Sequence, residues 1–119
     1  MPKRYVRRSK FNVRIDDEGK RLRTLDGITF HSVAEKNRYA ELKLLERQGL
    51  IRDLALQPRY NLHCRTGQRV TWYLGDFLYK TDTETVLEDV KGRITREYLM
   101  KKKWLALEHG IKITEIKRS

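Results

Sequence analysis

Two aspartates in the second half of the chain could hold a divalent cation, with a lysine beside them. Asp89 and Lys91 lie two positions apart in the run Thr85–Lys91, so a β-strand there projects both side chains from the same face. Asp76 lies within an earlier run rich in aromatic residues. Carboxylates bind Mg²⁺ while leaving room for water and phosphate oxygens, and an ammonium beside them offsets negative charge.

A hairpin between the two runs would bring the carboxylates together. Antiparallel pairing about the polar loop 81–84 places Leu78 opposite Leu87 and, two residues further, Asp76 opposite Asp89, unless a bulge interrupts the pairing. Side chains directly opposite each other have Cβ atoms about 5 Å apart, and like charges there repel. A positive charge is therefore expected between them.

The earlier run alternates, but it is apolar on both sides. One row holds Val70, Trp72, Leu74, Asp76 and Leu78, and the other holds Tyr73, Phe77 and Tyr79. We therefore predict one continuous central strand, Val70 to Lys80, with both faces buried. An ionised carboxylate in such a row is costly unless it is paired or bound to a metal.

Two other interpretations need no metal. Gly75-Asp76 has the composition of a two-residue hairpin turn, which would leave Asp76 exposed at a tip. Asp89 and Lys91 would also be unremarkable as an ion pair at a strand end.

Glu88 points to the opposite face from Asp89, and we predict that it is solvated or caps a neighbouring element.

The elements that position these residues follow from periodicity and from turn residues. A flexible or hairpin-like start leads to the Asp26-Gly27 turn. The predicted order is then helix, three strands, helix, strand, which gives an α/β fold with a mixed central sheet flanked by two helices. The predicted segments are a helix from about Ser32 to Gly49, an extended segment Ile51–His63 with Pro58 inside it, strands Val70–Lys80 and Thr85–Lys91, a helix Thr95–His109 closed by Gly110, and a final strand.

Two further polar residues have both a structural and a functional interpretation. Glu35 completes a capping box with Ser32, yet it also shares a helix stripe with Tyr39 and Leu42 that would lean on the sheet. Gln57 ends an apolar run before Pro58, where capping a turn is the simplest role.

The charge predicts a polyanionic partner. Lys and Arg number 27 against 16 Asp and Glu, which gives a formal net charge of +11 on a chain of 119 residues. The basic amino-terminal segment is either a phosphate-binding arm or a solvating tail. The candidate DNA-binding residues are Lys3, Arg4, Arg7, Arg8 and Lys10 in that segment, and Arg93, Arg96, Lys101 and Lys102 at the second helix.

Other classes of function are disfavoured. Cys64 is the only cysteine and the three histidines are scattered, so a zinc site is not expected. No apolar segment approaches the length of a membrane span, and the charged amino terminus does not have the pattern of a signal peptide. We therefore predict a soluble, cytoplasmic protein.

Three segments resemble the PD-(D/E)xK nuclease superfamily. They are FHSVAEKNRYAELKLLERQGLIRDLALQPRY, YLGDFLY and EDVKGRITREYLMKKKW. They look most like a small phage-encoded branch that is similar to the archaeal-type Holliday junction resolvases. The resemblance runs from about Phe30 to the carboxyl end, and it implies a restriction-endonuclease-like nuclease domain over residues 30–119, preceded by a basic arm and hairpin over residues 1–29.

The resemblance also implies roles for individual residues. Asp76, Asp89 and the backbone carbonyl of Val90 would bind Mg²⁺, for which Mn²⁺ could substitute, and Lys91 would be the catalytic lysine. Glu35 matches a glutamate of the first helix that acts in catalysis in the resolvase branch, so Glu35 would be catalytic, a helix cap or both. Gln57 matches a polar residue close to the site.

The predicted function is therefore metal-dependent, structure-selective cleavage of DNA. The resemblance implies a homodimer that cuts four-way junctions during phage DNA recombination or processing, within the host cytoplasm. The alternatives are a nicking or double-strand endonuclease, and an inactive nuclease fold that only binds DNA. Two opposed carboxylates facing a polyanion argue against the last of these.

Overall fold

The computed structural model describes residues 16–117, which form two compact units divided between Glu41 and Leu42. Each unit is built from short elements. In chain order these are α1 Asp17–Leu22, β1 Thr24–Leu25, β2 Ile28–Thr29, α2 Val33–Arg47, β3 Arg52–Leu56, β4 Arg59–His63, β5 Arg69–Leu74, β6 Phe77–Lys80, β7 Thr85–Lys91, α3 Arg96–His109 and β8 Ile113–Lys117.

Within the described residues of the first unit, helix α1 precedes the hairpin, and the predicted flexible or hairpin-like start did not include this helix. Asp16 caps α1, because its carboxylate accepts a hydrogen bond from the backbone N–H of Gly19 at 3.0 Å. A six-residue helix with an internal glycine has little periodicity. The cap residue was the only clear sequence signal for it.

The predicted turn at Asp26-Gly27 joins β1 to β2 in an antiparallel hairpin. Both turn residues have positive φ, 53° and 76°. Two such residues in succession are what a tight primed hairpin turn requires, and the Asp-Gly pair adopts it readily.

Helix α2 follows the predicted start and stop signals. The Ser32 hydroxyl accepts a hydrogen bond from the backbone N–H of Glu35 at 3.0 Å, which confirms the first half of the capping box. Gly49, with φ of 76°, lies two residues beyond the last helical residue. Tyr39 and Leu42 on the predicted stripe are buried.

The second unit contains a four-stranded mixed sheet in the order β3-β6-β7-β8. The β3-β6 and β6-β7 pairs are antiparallel, whereas β7 and β8 are parallel. Helix α3 connects β7 to β8, as a parallel pair requires a long crossover. The mixed α/β architecture predicted from the sequence is therefore present.

Two predicted strands are each broken in the middle. The segment 51–63 divides at Gln57-Pro58 into β3 and β4, and the segment 70–80 divides at Gly75-Asp76 into β5 and β6. Pairing continues in one register on both sides of the break. Across it, the Gln57 N–H donates to the Asp76 carbonyl at 3.0 Å and the Gly75 N–H donates to the Pro58 carbonyl at 2.9 Å. One long ribbon thus joins the central sheet at one end and forms the separate β4-β5 pair at the other.

The break corrects the prediction of a strand buried on both faces. Phe77 and Tyr79, on the sheet side of the break, are buried as expected. Beyond it, Trp72 and Leu74 are each 45% exposed and Val70 is 58% exposed. Among residues 16–117, strand β5 pairs only with β4, so it is not a central strand of the described sheet, and its row of Val70, Trp72 and Leu74 is exposed.

Helix α3 packs against the β4-β5 ribbon and closes the core of the second unit. Thr95 caps the helix by accepting from the Tyr98 N–H at 3.1 Å, and Gly110 ends it with φ of 67°, as predicted. The core comprises Leu62, Tyr73, Leu87, Tyr98, Leu105 and Ile113. Among the helices of residues 16–117, none is long and apolar enough to cross a lipid bilayer.

Replacing Gly75 with alanine is expected to lower the free energy of unfolding by about 1 to 3 kcal/mol. The added methyl group would lie 2.7 Å from Cδ1 of Leu87, a core residue, and 3.3 Å from Cγ of Pro58. Urea denaturation followed by circular dichroism measures the change. A loss below about 0.5 kcal/mol, the range of ordinary surface substitutions, would contradict the close packing at the break.

Candidate active site

Asp89 lies on β7, inside the four-stranded sheet, and is only 4% exposed. Its Oδ2 atom accepts a hydrogen bond from the hydroxyl of Tyr73 and lies 3.2 Å from Nζ of Lys91. Its other oxygen, Oδ1, accepts no hydrogen bond from any residue within 16–117. A buried carboxylate with one oxygen fixed and one available is suited to binding a cation.

Asp76 lies in the break between β5 and β6, next to the β7 backbone. Its Oδ2 atom accepts a hydrogen bond from the Val90 N–H at 2.7 Å, and its own N–H donates to the Glu88 carbonyl at 3.1 Å. The predicted register holds from Lys80 to Phe77, which pairs with Glu88, and Asp76 comes directly after the end of that ladder. Asp76 is partly buried in a continuing ribbon, so the hairpin-tip alternative is wrong.

The hydroxyl of Tyr73 contacts Asp89, and its pKa is affected by burial and by the charges of both Asp89 and Asp76. Burial is the main cause that raises the pKa of Tyr73, the negative charge of Asp89 raises it further, and Asp76 makes a smaller contribution. The bond from Asp76 to Val90, the residue after Asp89, also brings the Asp76 carboxylate to the middle of the site. The two acidic side chains therefore converge on one region.

Lys91 lies beside this pair. Its ammonium contacts Asp89 and lies 3.9 Å from the centroid of the Tyr98 ring, and the side chain is 23% exposed. The prediction that Asp89 and Lys91 share a face of β7 is confirmed. An ammonium between a carboxylate and an aromatic face has a favourable contact with each and can still be reached by a substrate.

A further acidic residue, Glu115 of β8, contacts the hydroxyl of Tyr98. The Tyr98 hydroxyl donates to Oε2 of Glu115 at 2.5 Å, and the same oxygen lies 3.2 Å from Nζ of Lys102. The bond from Tyr98, followed by the bond from Lys102, lowers the pKa of Glu115. Glu115 thus stays ionised and holds the Tyr98 ring in place against Lys91.

The donor set matches a hard divalent cation. Two carboxylates and the Val90 carbonyl are oxygen ligands, the kind that Mg²⁺ and Mn²⁺ prefer. No group of three or more His, Cys, Asp or Glu side chains converges anywhere in residues 16–117, so a cation held by Asp76 and Asp89 would complete its coordination with backbone, water or substrate oxygens. That arrangement is typical of Mg²⁺ sites that act on phosphates.

The family to which the sequence belongs is decided by a match that covers almost the whole chain. The profile of DUF1064, described as a protein of unknown function, matches residues 9–119. The chain belongs to this family. A search of curated proteins finds no match. The DUF1064 description assigns no activity, so the site itself has to indicate the chemistry.

In this DUF1064 protein, the prediction for the environment of Glu88 is wrong. It was expected to be solvated or to cap an element, but it is fully buried and accepts a hydrogen bond from the hydroxyl of Tyr79. Strand β7 has a neighbour on each side, and both of its faces are covered here, so the row opposite Asp89 is also buried. A tyrosine then provides the donor that a buried carboxylate needs.

The other two predicted site residues, Glu35 and Gln57, differ from each other in burial. Glu35 is buried in the first unit, where its Oε2 atom lies 3.8 Å from Nδ1 of His31, and its catalytic role stays a prediction. Gln57 adopts a left-handed backbone conformation, with φ of 51°, and its side chain is exposed. Its backbone, bonded to the Asp76 carbonyl, lies at the site.

The basic residues predicted to bind DNA are only partly within the described structure. Lys3, Arg4, Arg7, Arg8 and Lys10 lie outside the described residues. Arg93 and Arg96 are exposed beside the amino terminus of α3. Lys101 and Lys102 form ion pairs, Lys101 with Glu97 at 3.1 Å and Lys102 with Glu115.

The hydrogen bonds that Tyr73 and Tyr98 make at the site were not predicted from the sequence. Tyr73 was predicted to lie in a buried row; both Tyr73 and Tyr98 are buried, and their hydroxyls bond to Asp89 and Glu115. The predicted continuous strand put Tyr73 in the row opposite to Asp76, away from Asp89, so its contact with Asp89 could not be expected without the break between β5 and β6.

Proposed function

We propose that this protein is a divalent-metal-dependent DNA endonuclease, and that it cuts branched DNA as a Holliday junction resolvase does. The observation that carries the proposal is the convergence of Asp76 and Asp89 at the ribbon break, with the Lys91 ammonium 3.2 Å from Asp89. If each broken strand is counted once, the elements from α2 onward follow the order helix, three strands, helix, strand. That order supports a restriction-endonuclease-like core.

In phosphodiester hydrolysis, different residues of the chain would bind the cation, orient its ligands and contact the substrate. Asp76, Asp89 and the Val90 carbonyl would hold the cation, which when bound stabilises the negative charge that develops on the phosphate. Tyr73 fixes the orientation of Asp89 through its hydrogen bond. Lys91 projects from the same strand and would contact the attacking water or a phosphate oxygen.

The charge distribution supports DNA as the substrate. The net charge of +11 favours association with a phosphate backbone, and exposed Arg93 and Arg96 lie beside the amino terminus of α3. A twofold homodimer would present two such sites to the two opposed strands of a four-way junction. Recognition would then depend on branched shape and backbone rather than on base sequence.

The second candidate is an endonuclease that nicks or cuts ordinary duplex DNA, and the third is an inactive DNA-binding fold. The same site would serve the first two activities. The third is disfavoured because Asp89 is buried with one carboxylate oxygen left available, a costly arrangement if the protein only bound a polyanion.

Incubation of the protein with a four-way junction, a linear duplex and a single strand, with and without Mg²⁺, separates these functions. We expect metal-dependent cutting of the junction and little cutting of the other two DNAs. Cutting of linear duplex at a similar rate favours the second candidate. Retarded migration of the DNA on a gel, without cleavage in either condition, would contradict the proposal and favour the third.

Replacing Tyr73 with phenylalanine is expected to slow cleavage by about 10- to 100-fold, because Asp89 loses the hydrogen bond that orients it. Tyr79→Phe is the matched control, since it removes a buried tyrosine–carboxylate bond on the opposite face of β7. Each variant should lose roughly 1 kcal/mol of stability. Equal cleavage rates for the two variants would contradict the role given to Tyr73.

A further inference from the structure

Trp72 is an exposed tryptophan surrounded by cations. Its side chain lies on the open face of the β4-β5 ribbon and is 45% exposed. The guanidinium carbons of Arg59 and Arg69 lie 4.9 and 5.7 Å from its ring centroid, and Nζ of Lys101 lies 5.9 Å from it. These three cations come from β4, β5 and α3, so the cluster is assembled by the fold rather than by one sequence run.

The ring is not needed to fill the core. The adjacent Tyr73, on the other face of β5, is the residue that joins the core cluster. Trp72 instead lies between Val70 and Leu74 in an exposed apolar row. Within residues 16–117, neither Arg59 nor Arg69 has an ion-pair partner, whereas Lys101 pairs with Glu97. At least two of the cations are therefore available to an external anion.

The cluster is continuous with the candidate active site. A cavity of about 240 Å³ has in its lining Trp72 and Leu74 of β5 together with Lys91, Glu97, Tyr98 and Lys101. A nucleotide on the Trp72 ring would thus lie in the same cavity as the lysine assigned to the phosphate. The indole offers a stacking surface, and the guanidinium groups suit the flanking phosphates.

We propose that Trp72, with Arg59, Arg69 and Lys101, binds an unpaired nucleotide of the DNA next to the bond that is cut. The base stacks on the indole, and the cations leave the ring face to contact phosphates, which are stronger partners for them than an aromatic ring. This inference rests on the proposed function for the position of the cut, and it adds a preference for DNA in which base pairing is interrupted. A continuous duplex offers no free base to this surface.

The test uses binding without cleavage. The full chain is titrated in EDTA with two fluorescently labelled duplexes of equal length, one continuous and one with a short single-stranded gap. Trp72→Ala is compared with Trp72→Phe and with Val70→Ala, an exposed neighbour in the same row of the same strand that has no ring and does not line the cavity. Thermal melts establish that each variant is folded. A Trp104→Phe protein leaves Trp72 as its only tryptophan, so its fluorescence reports stacking directly.

We expect Trp72→Ala to weaken binding to the gapped duplex roughly tenfold and to change binding to the continuous duplex by less than about twofold. Trp72→Phe and Val70→Ala should stay within about threefold of the wild type on both DNAs. The fluorescence of Trp72 should be quenched by the gapped duplex. Unchanged binding by Trp72→Ala, an equal loss on both duplexes, or no quenching at saturation would each overturn the inference.

The outcome is separable from that of the proposed function. A gap-specific loss in Trp72→Ala, together with no metal-dependent cleavage by the wild type, would retain the nucleotide site and refute the nuclease. Metal-dependent cleavage with no effect of Trp72→Ala on binding would retain the nuclease and refute the nucleotide site.

Discussion

Asp89→Asn is expected to reduce metal-dependent DNA cleavage roughly a thousandfold or more while the protein stays folded. The substitution removes the charge that we propose binds the cation, yet the amide oxygen of asparagine can still accept the hydrogen bond from Tyr73. The measurement is the single-turnover rate of cutting of the preferred DNA at saturating Mg²⁺, with circular dichroism to verify the fold.

The matched control is Asp82→Asn. Asp82 lies in the loop between β6 and β7, so it belongs to the same hairpin, but it is fully exposed and lies 3.7 Å from Arg52 in a weak surface pair. We expect it to cleave at the wild-type rate. If both variants cleave like the wild type, Asp89 does not hold a catalytic metal, and the buried pair with Lys91 has a structural role only.

Lys91→Met is expected to reduce the cleavage rate by a factor of about a hundred to a thousand. Methionine keeps much of the apolar length of the side chain, so contact with the Tyr98 ring is retained while the charge is lost. Metal affinity should be unchanged or higher, because a cation next to Asp89 no longer competes with the ammonium. Cleavage assays and Mn²⁺ binding, measured on the same preparation, separate the two effects.

Lys102→Met provides the comparison for this substitution. Lys102 also forms an ion pair with a carboxylate, that of Glu115, which bonds to the Tyr98 hydroxyl, whereas Lys91 contacts the Tyr98 ring. A rate for Lys91→Met equal to that for Lys102→Met would show that only general positive charge matters. Loss of Mn²⁺ binding in Lys91→Met would show instead that the lysine acts by positioning the ligands.

The central hairpin could be predicted from the sequence because its signals are local. The register of β6 with β7 follows from loop length alone, and the pairing of Leu78 with Leu87 is the predicted one. The ends of α3 were equally accessible, since Thr95 and Gly110 are a strong cap and a strong stop. These features placed Asp89 and Lys91 correctly on one face.

The break in the ribbon could not be predicted because it depends on two distant segments acting together. Gly75-Asp76 and Gln57-Pro58 each interrupt a strand-forming run only weakly. The ribbon breaks because the two pairs lie opposite one another. The burial of Glu88 and the exposure of Trp72 were missed for a related reason. Both depend on how many neighbouring strands and helices cover a face, which alternation within a strand does not record.

Anomalous diffraction from a crystal of the protein soaked in a manganese salt tests most directly whether Asp76 and Asp89 bind one cation. We expect a manganese peak between the two side chains, with one carboxylate oxygen of each about 2.1 Å away and the Val90 carbonyl within coordination distance. No peak there at saturating Mn²⁺, or a peak coordinated by only one of the two aspartates, would contradict the site.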